Sequence, residues 1–365
     1  MTALGRRYLP ATNGSVTGFG ALALGCLALI GDAKAACPAG AVELLPNVRA
    51  LPPSEIAMQD EGTMQFSATS WNAGDGILEL VARNPDLQQQ RQAVDQRIYC
   101  SDGSYYDRPS GSAEYHAHHN HVHYNDYANY IFEEISGNSQ NPRQGEKTTF
   151  CIMDTNSINT QLNDASDAAV FEWCPTQEPG FNTQGMSIGW GDKYGSNLPG
   201  QSLPIGDLAA GEYRLRHVFD PKNQIVELNE DDNESCRIVD VFDRGNKRYV
   251  EDLGPCEPTP QPVVYGITPA SAAHNSCIDV TITGENLAPE WNLFFTEGSG
   301  PIPSIEDTHF DPAGNYVTAT VCVPRAKGGK RKPRLGKDPL WDLRMVNSYS
   351  ENPISDAPDL FTVTP

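Results

Sequence analysis

A period of two limits this chain more than any other feature. The runs "GILELVA", "RIYCSDGSYYD", "YANYIFEEI", "TTFCIM", "GEYRLRHVF" and "CRIVDVF" alternate in polarity or are rich in β-branched and aromatic residues. Turn clusters, "WNAGDG", "SGNSQNPRQG" and "KYGSNLPGQ", separate them. No long segment repeats every 3.6 residues, which excludes a helix bundle. The stretch "NPDLQQQRQAVDQ" reads as a short helix or an irregular excursion. With 32 glycines and 28 prolines in 365 residues, the composition also favours turns, and the length accommodates two cores. The expected class is mainly β.

The first 35 residues read as an export signal. Arg6 and Arg7 precede the apolar run "VTGFGALALGCLALIG", and Ala33-Lys34-Ala35 fits a small-x-small cleavage site. The run is short for a membrane span, which needs roughly 20 residues. The leader carries three cations and one anion, so its removal takes the formal charge from −21 to −23. Such a surface repels nucleic acid and anionic lipid and attracts cations and protonated amines. Of nine cysteines, Cys26 leaves with the leader, and an even eight remain in an exported chain, with no CxxC spacing that would suggest a zinc knuckle. The expected location is secreted: extracellular or periplasmic.

A break follows at "GPCEPTPQPVVYG", where Pro258, Pro260 and Pro262 stiffen residues 257–263 into a linker. Beyond it, "ITPASA" and "VTITGENL" resemble an immunoglobulin-like domain of the IPT/TIG type over residues 264–365, with strands at "NLFFTE", "NYVTATVCVP", "DLRMVN" and "DLFTVT". Cys277 and Cys322 each fall on an apolar strand there and are expected to bridge across the sandwich. The basic run "RAKGGKRKPRLGK" reads as a solvated loop.

Five of the eight histidines lie in "EYHAHHNHVHYNDY", residues 114–127. On a strand, His119, His121 and His123 project to one face, and three imidazoles at that spacing suit copper or zinc. His116 and His118 fall outside this register. A solvent-facing histidine strand is the alternative; a hydrolase HxHxDH motif is absent because Val122 and Tyr124 leave no aspartate in frame. His217, His274 and His309 read as structural.

Four motifs now add to these histidines in order: "EYHAHHNHVHYNDYANYIFEEI", "GEKTTFCIMDT", "GWGDKYG" and "GEYRLRHVFDPKNQIVELNEDDN". Together they resemble the catalytic domain of the lysyl oxidases across roughly residues 40–256, and the expected domain runs over residues 36–256. The resemblance implies copper on His119, His121 and His123. It also implies a lysine tyrosylquinone cofactor cross-linked from Lys147 in "GEKTTFC" and Tyr194 in "GDKYG". Taken alone, Lys147 would read as a surface residue and Tyr194 as a turn tyrosine, and Lys193 is a competing amine.

The resemblance is not uniform. His118 stands where the animal enzymes carry a cysteine, so the implied pairs are Cys37–Cys100 and Cys151–Cys174, with Cys236–Cys256 matching the family's late bridge. Tyr130 stands where the family has a further histidine, and Asp126 matches an acidic position and is the expected general base. "ELLPN" and "VELNEDDN" resemble pieces of a calcium site, implying Glu43, the Leu44 carbonyl, Glu227, Asn229, Asp232 and Asn233 as ligands.

The expected architecture is therefore a β-sandwich-like lysyl oxidase catalytic domain plus an immunoglobulin-like β-sandwich. The implied reaction is oxidation of primary amines, peptidyl lysine or small amines, to aldehydes by molecular oxygen, with release of hydrogen peroxide and ammonia. The rival from another class is an extracellular metal-binding or adhesion module that kept the scaffold without catalysis.

Overall fold

The computed structural model describes residues 36–82, 91–116, 120–136, 142–174, 182–325, 339–350 and 352–364. The leader, His118, His119 and the basic run from residue 326 to 337 lie outside them. Among the described residues every regular element is a strand, as the two-residue alternation requires. The expected helix or excursion is corrected in its described part: Arg91–Cys100 is a strand, and Gln92, Val94, Gln96, Ile98 and Cys100 alternate inward along it.

Three sheets surround the first core. The largest runs, in order, Thr149–Phe150, His121–Asn125, Tyr105–His116, Arg91–Cys100, Leu78–Ala82 and Asn182–Met186, with Glu43–Leu44 beside Arg91–Cys100. A second runs Asn156–Ser157, Trp190–Tyr194, Thr63–Asn72 and Ser202–Pro204, with Val48–Met58 beside Thr63–Asn72. The third is Lys247–Pro255, Glu234–Arg244, Gly211–Phe219, Ala128–Glu134 and Arg143–Gln144. All three feed one apolar cluster that includes Phe66, Leu80, Val122, Tyr130, Phe132, Phe150, Leu203, Leu215 and Val239.

Residues from Val263 onward build two four-stranded sheets around their own core of Ile282, Trp291, Leu293, Val317, Leu343 and Phe361. The alternation is legible in Tyr316–Val323, where Val317, Ala319, Val321 and Val323 point inward. All four disulfides join the expected partners: Cys37–Cys100, Cys151–Cys174, Cys236–Cys256 and Cys277–Cys322. The geometry of the last differs from expectation. Cys277 and Cys322 are direct cross-strand neighbours within one sheet, with Cα atoms 4.0 Å apart, so this bridge staples adjacent strands rather than the two layers.

The two cores are joined by an arm. Asn159 is fully buried; its side-chain amide donates to the Pro289 and Trp291 carbonyls, and its Oδ1 accepts from the Gln161 N–H. Gln161 behaves as a strand residue made from a side chain. Its Nε2 donates to Leu293 O at 2.7 Å and Ile305 O at 3.3 Å, while its Oε1 accepts from Leu293 N at 2.7 Å. Leu293 and Ile305 belong to different C-terminal sheets, so one amide holds both. Leu162 pairs with Thr308, and Phe310 packs on the small cluster of Leu51, Trp71, Ile158 and Ile188.

Gln161→Ala would strip the Leu293 N–H and C=O of their partner at this junction. The full-length chain should lose about 1–3 kcal/mol in urea unfolding, the cost of leaving such groups unpaired. A C-terminal pair of sheets hanging loosely from the rest would leave the urea midpoint unchanged.

Candidate metal and cross-link site

Cross-strand register assembles the histidines. Tyr105–His116 and His121–Asn125 form a hairpin in which His116 faces His121 and Glu114 faces His123. Residues directly opposite share a face, and so do residues two apart on one strand. Glu114, His116, His121 and His123 therefore lie together, and the His116 and His123 rings stack with centroids 4.1 Å apart. This corrects the expectation that His116 falls outside the set, since a single-strand alternation does not reveal the partner strand. His119 lies outside the described residues, and among those described no three His, Cys, Asp or Glu side chains form a complete metal site.

The two described candidate ligands nevertheless suit a metal. His121 Nε2 and His123 Nε2 stand 2.8 Å apart, a spacing that one N–H···N hydrogen bond satisfies. Two nitrogens each about 2.0 Å from one ion and about a right angle apart would also stand roughly 2.8 Å apart. A tetrahedral angle would spread them to roughly 3.3 Å. The buried His123 is oriented through its other ring nitrogen, 3.3 Å from the Thr149 hydroxyl, the kind of outer partner that fixes a ligating imidazole. Thr149 also lies 3.4 Å from His116 Nε2. Sequence reading missed Thr149, which carries no signal until the Thr149–Phe150 strand is seen to pair with His121–Asn125.

The same short segment meets the tyrosine. Lys147 Nζ lies 4.9 Å from the centre of the Tyr194 ring and 4.9 Å from that of Phe150. Phe150 packs edge-on against Tyr194 at 4.7 Å. The Tyr194 hydroxyl donates to Cys151 O at 2.7 Å and accepts from Cys151 N at 3.0 Å. Gly200 has φ +82°, and a β-carbon there would come within 2.9 Å of Lys147 Cβ, so only glycine allows this backbone to lie on the lysine stem. Lys193, by contrast, projects from the opposite face of its strand and pairs with Glu55 at 2.6 Å.

Burial sets the electrostatics. Desolvation lowers the Lys147 ammonium below its usual range, with the Asp192 charge opposing, and raises the Tyr194 phenol well above its own. Asp192, fully inside the protein, is pushed well above the carboxylate range by the same cause.

The remaining expected residues are dispersed. Asp126 occupies the turn after His121–Asn125, with positive φ, and its carboxylate pairs with Lys222 at 2.8 Å. Tyr130 is buried; its hydroxyl accepts from Gln201, and its cross-strand neighbour is His217, with ring centres 5.5 Å apart. Burial lowers His217 to about 4, so at neutral pH the ring is uncharged, placed between the Leu51 carbonyl and the Ser70 hydroxyl.

The expected calcium residues split. Glu43 accepts from the Tyr106 hydroxyl and Asn229 from the Asp231 N–H. Glu227 is buried, bound by the Val48 N–H and the Asn233 amide, while Asp232 accepts from Asn47 and pairs with Arg49. Buried oxygens of Asn47, Asp232 and Asn233 have no partner among the described residues, and mixed carboxylate and amide oxygens are what calcium takes. Asn47, the last residue of "ELLPN", was not among the ligands expected from that motif.

Comparison with known proteins agrees with the geometry. Residues 86–248 match the family model for lysyl oxidase, a span that contains the histidines, Lys147 and Tyr194. The match covers less than half of the chain and marks this segment as similar to a lysyl oxidase domain. No curated protein matches the chain.

Glu227 gives a pH test. Burial raises it from 4.5 to about 9, so between those values the folded chain holds a proton that the unfolded chain has lost. Its stabilising contribution is present below about pH 4.5 and is lost as pH rises through about 9. In buffer with a calcium chelator, Glu227→Gln should gain stability relative to the wild type as pH rises from about 5 to 9, by at most about 1.4 kcal/mol per pH unit. Urea midpoints whose difference stays constant over that range would contradict the assignment.

Proposed function

We propose that this protein is an extracellular or periplasmic copper-dependent oxidase of primary amines, using a cofactor made from Lys147 and Tyr194. The observation that carries this reading is the placement of Lys147 Nζ over the Tyr194 ring, in a site whose flanking strand holds His121 and His123. Copper would supply the oxygen chemistry that converts a tyrosine to a quinone, and the cross-linked quinone the electron sink for amine oxidation.

Within this reading His119, His121 and His123 hold the copper, and Thr149 orients His123. Three imidazoles on one strand face suit copper or zinc, and the similarity of this segment to lysyl oxidase favours copper. Cys151 holds the Tyr194 hydroxyl through its own backbone, which keeps the ring beside Lys147. Phe150 and the Lys147 stem exclude water, so a neutral amine is available at lower pH than on the surface. Asp126 serves as base toward the substrate once its pairing with Lys222 opens. Glu227, Asp232 and Asn233, joined by Asn47, form the calcium-binding part.

The chain organisation proposed is a leader over residues 1–35, the oxidase domain over 36–256, a linker over 257–263 and an IPT/TIG-like domain over 264–365. The substrate is a primary amine, a lysine side chain of a protein or a small amine, and the co-substrate is molecular oxygen.

The deciding experiment is a redox-cycling quinone stain on protein matured with copper, followed by mass mapping of the modified peptides. Lys147→Ala and Tyr194→Phe should each abolish stain and amine-dependent peroxide while keeping their copper. His121→Ala should lose most of its copper after dialysis. Full peroxide production by Lys147→Ala would sink the lysine assignment, and a wild type with copper but no stain would sink the oxidase reading itself.

A further inference from the structure

Two buried aspartates that repel each other, Asp154 and Asp192, lie beside and on the strand that carries Tyr194, and the structure treats them differently. Asp154 is saturated: Oδ1 accepts from Ser187 N at 2.8 Å, and Oδ2 accepts from Val170 N at 2.9 Å, Phe171 N at 3.1 Å and the Ser187 hydroxyl at 2.7 Å. Asp192 is only 3% exposed, yet its Oδ2 has no hydrogen-bond partner among the described residues. The Met153 N–H and the Thr155 hydroxyl partly oppose the effect of burial on this carboxyl, but the Thr155 hydroxyl donates its proton to the Gly191 carbonyl at 3.2 Å. A carboxylate oxygen left bare inside a core is costly, which marks it for a purpose other than packing.

Its position suggests the purpose. In the strand Trp190–Tyr194, Asp192 and Tyr194 are two residues apart and share a face, opposite Ser70 and Ala68 of Thr63–Asn72. Lys193 points the other way. The groups that feel or face the Asp192 charge are Lys147, Tyr127, Tyr130, Tyr194 and Asp154, and of these only Lys147 is a cation.

We propose that Asp192 accepts the proton of Lys147 and so frees the amine to bond to the oxidised ring of Tyr194. The inference rests on the oxidase reading and extends it to how the cross-link is made. The ammonium proton passes from Nζ to the Asp192 carboxylate, and the Nζ lone pair forms the N–C bond to a ring carbon. One of the two amine hydrogens and the ring C–H hydrogen pass to the two ring oxygens, the phenol's own and the one that molecular oxygen installs in making the quinone; the other hydrogen stays on the linking nitrogen, and the ring is left reduced by two electrons. Molecular oxygen, already the oxidant of this reaction, takes two electrons and two protons as hydrogen peroxide and restores the quinone. Burial moves both groups in the required direction, with the carboxyl pushed up and the ammonium pushed down.

The test is Asp192→Asn, expressed without copper and then matured with copper in air. Three quantities are read: bound copper, visible quinone absorbance, and the mass of the Lys147–Tyr194 cross-linked peptide. Copper content and thermal midpoint should match the wild type. Cross-link formation should slow on the order of 100-fold, the scale of a lost proton acceptor. Its rate should also climb with pH, because solvent base must now do the work, whereas the wild type should be much flatter. A carboxylate acting only through its field would hold Lys147 protonated, so its loss would speed the cross-link; that result, or a wild-type rate in Asp192→Asn, overturns the proposal. If the Asn variant does not fold, Asp192→Glu and Asp192→Gln carry the comparison. Glu linking and Gln failing supports the proposal, and equal linking by both overturns it. A wild type that binds copper and never links refutes the oxidase reading instead.

Discussion

The Tyr194 hydroxyl, held between the N–H and C=O of Cys151, is the contact on which the site depends. A phenol bonded to backbone at both its donor and acceptor cannot swing its ring out of the site without breaking two hydrogen bonds. The same peptide is tied by Cys151–Cys174 and continues back through Phe150, Thr149 and Lys147. Five consecutive residues thus do three things: they clasp the tyrosine, orient His123 and lay a lysine across the ring. Displacing this segment would uncouple the imidazoles from the tyrosine even with every side chain intact.

How much of this could be read from the sequence depends on which spacing carried the information. The expectation for His119, His121 and His123 needs only alternation along one strand, whereas Lys147 and Tyr194 came from the resemblance to the lysyl oxidases and not from their spacing. His116 was misplaced because its membership comes from pairing across a hairpin, which no spacing within one strand encodes. Asp192 was missed although it sits in the quoted motif "GDKYG". A single carboxylate there reads as a turn acid, and only its burial and bare oxygen set it apart. The disulfide partners were legible, but the layer spanned by Cys277–Cys322 was not, because two apolar strands can be neighbours in one sheet or faces of two. The Asn159–Gln161 arm had no signal at all: amides in a polar run look like loop until their bonding partners, more than 120 residues away, are known.

Among the groups that desolvation drives toward their uncharged forms are Asp192, Glu227 and His217. They do not play the same part. His217 has polar neighbours at both ring nitrogens and fills the space beside Tyr130, where the family carries a histidine on the adjacent strand. An imidazole thus remains next to that position, supplied by the neighbouring strand, although its low pKa suits a neutral acceptor rather than a cation. Glu227 lies among oxygens lacking donors, and a cation there would reverse the sign of its shift. Asp192 shares a strand face with Tyr194, and its charge acts on Lys147.

The arm from Asn156 to Ala165 links these matters to the C-terminal sheets. It begins two residues after Asp154, whose carboxylate binds the chain at Val170, Phe171 and Ser187, and Asn156–Ser157 pairs with the strand that carries Asp192 and Tyr194. Further along, Asn159 and Gln161 are spent on the carbonyls and amides of the C-terminal sheets. An arm bonded at one end to the Tyr194 strand and at the other to both C-terminal sheets restricts the motion of each. The C-terminal sheets thereby help to hold the edge of the sheet from which the tyrosine projects, a role in site rigidity that requires no contact of their own with a substrate.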